Sequence, residues 1–462
     1  MRHPPVDYRD VSEPTLSLCM IAKDEARFLA DCLRSVQGVV GEIIVGDTGS
    51  SDDTVAIARA FGAKVVDIPW QEDFSAARNA VLDRAAGDWI LILDADEELT
   101  DGARKTVPRA ILCADVMGYN MPVHNLAEEG TVVNGLLLRI FRNRPSIRFK
   151  NVVHEQVHDA VVAAAREERM RIRTLPHGFV HKGYLPEIFR ERAKDDRNLR
   201  LLEKQIRCHP DDLYSRHKYA DHLYKIDNGA KWERAARECH DLLHSTFATS
   251  RQRIYAAEIC GSYALVLEKS GRVNEALDHC REMSGLLHPT PNFLYTMGRL
   301  ELKEGQTARA MGLFDRCIRD SHDAPAVPIR RGVTGFLSHH ALAVALRQLG
   351  RNNEAMDRLR SALRDNARYY PSVEALSELL DGSGNLKDSL ITLTEYLQKK
   401  PEDTRAWLWG GAILTRNMLF DQAVPWLERA LRSEATAPEA ARLVDRIHDV
   451  RQGRTLPRSE SP

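Results

Sequence analysis

The sequence predicts an α/β domain followed by an all-α domain of helical repeats, and three observations carry this prediction. From Thr15 to about Gly183, short β-rich runs alternate with helical patterns. From about Asp195 to Val450, nearly every segment has the pattern of an amphipathic helix. Small residues in the second half recur with a fixed period, which is typical of repeat architectures. We therefore expect an N-terminal extension at residues 1–14, the α/β domain at 15–195, the repeat domain at 196–448 and a disordered tail at 449–462.

The first half contains four predicted strands that alternate with helices. The strands are Leu16–Ala22, Glu42–Gly46, Ala63–Ile68 and Trp89–Leu93, and the intervening helices are Glu25–Val36, Asp53–Phe61 and Phe74–Ala86. This βαβαβαβ series predicts a mostly parallel, Rossmann-like sheet covered by helices on both faces. Ligands of such sheets bind beyond the carboxyl ends of the strands, so the polar residues that follow each strand are the candidates for function.

Composition and charge narrow the class of protein. The chain has 462 residues, of which 28% are charged and 43% hydrophobic, so it can bury sizeable cores and is not disordered as a whole. Lys and Arg number 65 against 66 Asp and Glu, a net charge of -1 that provides no general attraction to nucleic acid or to an anionic membrane.

The sequence also predicts a cytoplasmic protein with reduced thiols. No run approaches the roughly 18 apolar residues of a spanning helix, and the first 14 residues are polar rather than a basic segment followed by an apolar one. The eight cysteines include no Cys-x-x-Cys pair, so neither a zinc cluster nor a redox motif is expected.

A repeat in the second half becomes visible when a small or turn residue is aligned with an Ala or Ser five positions later. The pairs are Gly271/Ala276, Gly305/Ala310, Gly350/Ala355, Gly384/Ser389 and Met418/Ala423, with Ala230/Ala235 as a less regular earlier copy. The five regular pairs are spaced by 34, 45, 34 and 34 residues, and an insertion near residues 324–334 explains the longer step. Over residues 208–448 this pattern resembles the tetratricopeptide repeat; the alternative is an irregular helical bundle. Such repeats present a surface to a peptide or protein, or pair two chains into a homodimer, and both uses stay open.

A loop rich in Gly and Asp follows the second strand, from Gly46 to Thr54. Asp47 stands at the carboxyl end of the strand, where a carboxylate can accept a hydrogen bond from a nucleotide base or ribose. The alternative is a loop whose Asp, Ser and Thr side chains cap the helix that follows.

The fourth strand runs directly into Asp94-Ala-Asp96-Glu-Glu98. Neighbouring carboxylates repel one another unless a cation or a hydrogen-bond donor compensates. Asp-x-Asp spacing at a strand exit suits a divalent cation, bound directly by one side chain and through water or a ribose by the other. The alternative is a solvated turn at the start of a helix.

These motifs together resemble the inverting family 2 glycosyltransferases of the GT-A fold, over residues 15–190. The resemblance rests on Lys23-Asp-Glu25 after a strand, on Asp47-Thr-Gly-Ser-Ser-Asp-Asp-Thr54, on Phe74-Ser-Ala-Ala-Arg78-Asn-Ala80 and on Asp94-Ala-Asp96. It implies that Ala22 and Glu25 border the nucleoside, that Asp47 reads the base and that Arg78 approaches the base or diphosphate. Asp94 and Asp96 are then implied to hold the ribose and a Mn²⁺ or Mg²⁺ ion.

The segments from Leu138 to Asn143 and from Phe149 to Val157 resemble a subset of this family that includes soluble lipopolysaccharide-core transferases and peptide S-glycosyltransferases of the sublancin type. An inverting transfer needs a base on the acceptor side of the anomeric carbon. Glu155 is the first candidate, His154 is the second, and a purely structural pair is the third reading. The family's usual Glu-Asp base motif is not visible here.

His181, in Phe179-Val-His-Lys-Gly-Tyr184, is a candidate third metal ligand. In related GT-A enzymes a late histidine completes the metal sphere or contacts the diphosphate, and imidazole is an acceptable ligand for manganese. The alternative is a structural histidine.

The sequence thus predicts a metal-dependent transfer of a sugar from a nucleotide-diphosphate sugar to a nucleophile on a peptide or protein, and the resemblance implies a UDP-sugar as the donor. A saccharide acceptor in lipopolysaccharide or capsule synthesis is the alternative. A catalytically inactive repeat scaffold is the alternative of another class.

Overall fold

The computed structural model describes residues 13–127, 130–182, 194–226, 229–245, 250–287, 289–319 and 329–452. The chain divides into two compact units: the first comprises the described residues up to Gly271 with Glu282–Thr290, and the second takes in most of the chain from Arg272 onward. Helices up to Gly271 therefore belong to the same unit as the sheet. The domain limits predicted from the sequence stay predictions, and most of the predicted extension and tail lies outside the described residues.

One sheet organises the first part of the chain. Its strands are β1 Leu16–Ala22, β2 Glu42–Asp47, β3 Lys64–Asp67, β4 Trp89–Ile92, β5 Glu97–Leu99, β6 Val116–Ala127, β7 Gly130–Arg142, β8 Arg171–Thr174 and β9 Phe179–His181. The strand order is β3-β2-β1-β4-β7-β6-β9-β5, with β8 paired to β6. The four strands predicted from the sequence pair in parallel with one another, and β6 pairs in parallel with β8 and β9. Because β7 runs antiparallel to β4 and to β6, the whole sheet is mixed.

Helices α1 Ala26–Val36, α2 Thr54–Ala60, α3 Phe74–Leu82, α4 Asp101–Ala110 and α5 His158–Glu167 surround the sheet. Residues of β1 alternate between two apolar cores, with Leu18 and Met20 in one and Cys19 in the other. The sheet is therefore buried on both faces, as expected for strands joined by crossover helices.

Helix α3 is shorter than predicted, since it ends at Leu82 rather than Ala86. Beyond it, the amide of Ala86 donates to the Glu42 carboxylate at 2.9 Å and the amide of Gly87 donates to Ser17 Oγ at 3.0 Å. These amides bond to side chains of β1 and β2 instead of to helix carbonyls, which ends the helix and leads the chain into β4.

The rest of the described chain is helical. The helices are α6 Lys194–Cys208, α7 Leu213–Lys225, α8 Gly229–Ser245, α9 Ser250–Lys269, α10 Val273–Leu286, α11 Pro291–Lys303, α12 Thr307–Arg319, α13 Phe336–Gln348, α14 Asn352–Asp365, α15 Tyr370–Gly382, α16 Leu386–Lys399, α17 Thr404–Arg416, α18 Phe420–Ala430 and α19 Ala437–Arg451.

The repeat phase predicted from the sequence is confirmed by the backbone. In the five regular pairs the turn residue has a positive φ, in the region that glycine adopts without strain; the values are 75°, 74°, 72°, 80° and 60° for Gly271, Gly305, Gly350, Gly384 and Met418. The earlier copy predicted at Ala230 differs, because Ala230 lies inside helix α8. Five residues further on, the small side chain is fully buried in every case, at Ala276, Ala310, Ala355, Ser389 and Ala423. Small residues at these positions let neighbouring helices approach closely. Most of the predicted insertion lies outside the described residues.

All eight cysteines are free thiols, and six of them are buried, as the sequence predicted. Within the described part of the chain, no helix has the length and apolar character needed to cross a membrane.

Candidate active site

A cavity of about 440 Å³ opens at the carboxyl ends of β1 and β4. Its wall includes eight of the nine predicted site residues: Ala22, Glu25, Arg78, Asp94, Asp96, His154, Glu155 and His181. The ninth, Asp47, does not line the cavity, whereas its neighbour Thr48 does. The structure thus brings together residues that are up to 159 positions apart, from Ala22 to His181, at the edge of the sheet where ligands of α/β folds bind.

Arg78 is the centre of the cavity wall. Its Nε donates to Glu155 Oε1 at 2.5 Å, and its Nη2 donates to Asp94 Oδ1 at 2.6 Å. The residue is only 8% exposed, and its Nη1 is buried without a hydrogen-bond partner. Burial lowers the pKa of Arg78, but the two carboxylates outweigh it and raise that pKa further above its usual range. The guanidinium is therefore a permanent cation with one unused donor.

The loop that carries Glu155 is fixed to helix α3, which carries Arg78. The side chain of Asn79 accepts from the Phe149 amide at 2.8 Å and donates to the Phe149 carbonyl at 3.0 Å. Ser75 Oγ donates to the Asn151 carbonyl at 2.6 Å. These bonds hold Arg78 and Glu155 in register although 77 positions separate them.

The same loop turns tightly just before Glu155. Lys150 and Gln156 exchange two backbone hydrogen bonds of 3.0 and 2.9 Å, and His154 has a positive φ of 52°. A histidine in the left-handed region is uncommon and is often associated with functional sites. Both predicted candidates for the base, His154 and Glu155, lie on this turn and face the cavity.

Asp94 is held by two arginines. Besides Arg78, the Nη2 of Arg139 lies 3.4 Å from Asp94 Oδ2 and donates to Glu97 Oε1 at 2.6 Å. Burial raises the pKa of Asp94, but Arg78 and Arg139 outweigh it and hold that pKa well below its usual range. Asp94 is therefore a carboxylate with both oxygens engaged by guanidinium groups.

Glu97 and Arg139 support the site through Asp94 without lining the cavity, and the sequence did not single them out. Glu97 is 2% exposed, and its second oxygen accepts from the Asp94 amide at 2.9 Å. Burial raises the pKa of Glu97 to about 7, and the neighbouring Asp94 adds to the rise despite the contact with Arg139. For Arg139, the signal available in the sequence was its charge, because Arg139 lies between the apolar residues Leu138 and Ile140 of a strand.

Asp96 and His181 form the part of the site that could hold a metal ion. Strand pairing sets His181 opposite Glu97 on one side and opposite Asn125 on the other. The ring Nδ1 lies 2.7 Å from Asn125 Oδ1 and donates to it, and Nε2 lies 3.6 Å from Asp96 Oδ1. An outer partner on Nδ1 is the arrangement usual for a metal-binding histidine.

The acidic surroundings also control the charge of His181. Burial lowers its pKa, but the contact with Asp96 and the fields of Glu97 and Asp94 outweigh it and raise that pKa. Among the residues that the structure describes, no group of three or more His, Cys, Asp and Glu side chains is arranged to hold a metal. The donors nonetheless fit Mn²⁺ or Mg²⁺, with Asp96 and His181 as protein ligands and further oxygens from water or substrate.

Asp47 is turned toward its own loop. It is 8% exposed, and its carboxylate accepts from the amides of Gly49 and Ser50 at 3.2 Å. Nearby, Asp52 accepts from the Ala26 amide at 3.1 Å and from the Thr54 amide at 2.9 Å. The loop after β2 is therefore bonded to the loop after β1, and the role predicted for Asp47 stays a prediction.

The first of the later helices complete the site within the same compact unit. Arg197 and Asn198 of α6 line the cavity. Gln205 of α6 accepts from the Val152 amide at 3.2 Å, and Tyr214 of α7 accepts from the Gln156 side chain at 3.2 Å. Nothing in the sequence pattern indicated these contacts, because helical periodicity does not specify which loop a helix face will meet.

Comparisons with known proteins agree with this architecture. The family model for glycosyl transferase family 2 matches residues 17–160. A TPR repeat-containing protein of Synechococcus elongatus is 41% identical over 201 residues, which are 43% of this chain and 50% of that protein. The SPbeta prophage-derived glycosyltransferase SunS of Bacillus subtilis is 28% identical over 217 residues, which are 44% of this chain and 48% of that protein.

A shorter match joins the chain to an uncharacterized glycosyltransferase of Rickettsia felis, with 44% identity over 85 residues that cover 18% of this chain and 30% of that protein. The chain spans about half the length of the first two relatives. The matched range contains the strands and loops that bear Asp47, Arg78, Asp94 and Asp96. Residues 17–160 are therefore similar to family 2 glycosyltransferases, and helices with a recurring 34-residue phase follow them in the chain.

Proposed function

We propose that the chain transfers a sugar from a nucleotide-diphosphate sugar, with UDP as the first choice of nucleotide, to an acceptor on a peptide or protein. The observation that carries this proposal is the buried cation Arg78, held between Asp94 and Glu155 in the wall of the cavity. Its unused Nη1 is a donor that a diphosphate oxygen can satisfy. The two carboxylates compensate the desolvation of this guanidinium, and its buried Nη1 stays available to a charged ligand.

We assign the binding of the nucleotide-sugar donor to the residues at the strand ends. Ala22 and Glu25 border the nucleoside, Asp47 shapes the loop that reads the base, and Asp94 and Asp96 face the ribose and diphosphate. Asp96 and His181 would hold Mn²⁺ or Mg²⁺, which would supply charge neutralisation for the diphosphate. Arg78 contributes a second fixed positive charge to the same group.

The acceptor side is assigned to the turn with His154 and Glu155. Arg78 occupies Glu155 Oε1, so Oε2 is the oxygen that takes the proton. As the proton leaves, the acceptor oxygen or sulfur bonds to the anomeric carbon from the face opposite the diphosphate. The bond from that carbon to the phosphate oxygen breaks, and the nucleoside diphosphate departs with inversion. His154 is the second candidate for the base.

The peptide or protein acceptor is supported by two features. Tetratricopeptide-like repeats suit extended polypeptide ligands, and the segments from Leu138 to Val157 resemble the sublancin-type peptide S-glycosyltransferases. A saccharide acceptor is the competing outcome of the test below.

The test measures release of nucleoside diphosphate from a panel of UDP-, GDP- and dTDP-sugars, with Mn²⁺, Mg²⁺ or a chelator, in the presence of peptide or saccharide acceptors. We expect metal-dependent release that Asp96→Ala abolishes, with Asp101→Ala as an exposed control at the start of α4. Release stimulated by saccharides alone would overturn the peptide acceptor. An absence of release and of nucleotide binding in folded protein would instead favour an inactive scaffold.

A pair of variants separates the two candidate bases. Glu155→Gln should abolish transfer while donor binding persists, whereas His154→Gln should retain most of it. The opposite pattern would assign the base to His154.

A further inference from the structure

Helix α8 carries two histidines whose rings meet. His240 and His244 are four residues apart, so their side chains lie on the same face of the helix. Their Nε2 atoms are 3.0 Å apart. Both residues belong to the unit that contains the sheet, yet neither lines the cavity described above. The pair therefore requires an explanation separate from sugar transfer.

Two neighbours fix the orientation of His240. Its ring stacks on Tyr263 with the centroids 4.0 Å apart and the planes 18° apart. Its Nδ1 lies 3.3 Å from the carboxylate of Asp241 and donates to it. A carboxylate on Nδ1 places the lone pair on Nε2, which is the arrangement that outer-shell carboxylates give to metal-binding histidines. His240 is 12% exposed, so its ring is held by the protein and not by solvent.

The separation of the two nitrogens specifies the angle at which they would meet a metal. With metal–nitrogen bonds of about 2.05 Å, a separation of 3.0 Å corresponds to an angle of about 94° at the ion. A tetrahedral ion would need about 3.3 Å between the nitrogens for the same bond length. An angle of about 94° would match two adjacent positions of an octahedral or tetragonal ion, the geometry of Ni²⁺ and Cu²⁺ sites with nitrogen ligands.

We propose that His240 and His244 form a chelating site for a late first-row transition metal ion such as Ni²⁺ or Cu²⁺. In the described part of the chain, no third His, Cys, Asp or Glu is placed to join them. Water then fills the other coordination positions, and the site is an exchangeable one on the surface. His244 turns its Nε2 lone pair toward the ion by moving its proton to Nδ1.

This site is chemically distinct from the pair of Asp96 and His181. Affinity for nitrogen ligands rises from Mn²⁺ toward Ni²⁺ and Cu²⁺, whereas Mg²⁺ is bound through oxygen. A large excess of Mg²⁺ should therefore leave the histidine pair available to Ni²⁺.

The test is equilibrium binding of Ni²⁺ to the untagged full-length chain in excess Mg²⁺, by isothermal titration calorimetry. We expect one equivalent of Ni²⁺ to bind at the histidine pair, and we expect His244→Ala to lose it. His448→Ala is the matched control, since His448 is an exposed helical histidine in α19, and it should keep the equivalent.

A second variant protects the test from misfolding. His244→Cys retains a metal ligand and should recover binding that His244→Ala has lost, while circular dichroism reports that all the variants are folded. Retention of the Ni²⁺ equivalent by His244→Ala, or its loss in His448→Ala, would overturn the proposal. Sugar transfer is not required for any of these readings, so failure of the proposed enzymatic function would leave the test intact.

Discussion

Replacing Arg78 with methionine removes the positive charge between two carboxylates of the site. The Arg78 and Glu155 side chains are 9% and 15% exposed, so the Glu155 carboxylate would be left nearly buried without its cation. Breaking a buried ion pair by removing one partner costs about 3–5 kcal/mol. Glu155→Gln should cost about 1–3 kcal/mol, because Arg78 then still bonds to Asp94. In the double variant the uncompensated charge of Glu155 is absent. We therefore expect the double variant to cost about 2 kcal/mol less than the sum of the two single-variant costs.

Hydrogen exchange at the amides of β4 is the suitable assay. The chain contains two compact units, so a single melting curve would mix their transitions. β4 is fully buried in the middle of the sheet and reports the opening of that sheet alone. If the two single-variant costs add to within about 0.5 kcal/mol, Arg78 and Glu155 are energetically independent and the reasoning is refuted.

Three further predictions follow from other parts of the molecule. His181 has a pKa raised above the usual 6.5, and its proton competes with a metal ion for the ring. The affinity for Mn²⁺ should therefore fall as the pH drops through that raised pKa. His181→Asn should flatten this pH dependence, which Mn²⁺ electron paramagnetic resonance measures. Asn79→Ala removes both bonds to Phe149 and should cost about 2 kcal/mol, and it should lower kcat more than it raises the donor KM. Gly298→Ala would place a methyl group 2.7 Å from the Phe314 ring and should destabilise the α11 amides by about 1–3 kcal/mol. Gly312→Ala, whose methyl group meets nothing within 4 Å, should instead stabilise α12 by up to about 1 kcal/mol, and hydrogen exchange measures both.

The parallel part of the sheet could be predicted because each of its strands is a short apolar run bounded by polar residues. β1 was placed at its observed limits, Leu16–Ala22. The long hairpin of β6 and β7 was not predicted, because Gly118 and Pro122 lie inside β6 and are residues that single-sequence patterns assign to turns. The part of the sheet that contains the antiparallel pairs of β7 with β4 and β6 was therefore absent from the prediction.

The repeats could be predicted because one backbone requirement recurs. A residue with a positive φ ends one helix, and a small residue five positions later is buried in the next helix. Each requirement restricts the type of residue, so both are visible in the sequence. Met418 is the exception that shows the limit, since its φ of 60° is visible only in the structure. Its assignment depended on the spacing of 34 residues.

The candidate site could be predicted where side chains follow strands in the chain, as Asp94 and Asp96 do. Arg139 and Glu97 could not, because their role depends on pairing across β7, β5 and the turn after β4. The same holds for Gln205, which reaches the site loop from a helix 53 positions away from Val152. Motif spacing along the chain carries no information about such long-range contacts.

The proposed function requires the cavity to bind a nucleoside diphosphate with the help of a divalent metal ion. Isothermal titration of UDP, GDP and dTDP into the full-length chain, with and without Mn²⁺, tests it most directly. We expect one nucleotide to bind in a Mn²⁺-dependent way, with Asp96→Asn losing the metal dependence and Asp101→Asn retaining it. Binding that is unchanged by Asp96→Asn, or no binding of any of these nucleotides to folded protein, would contradict the account.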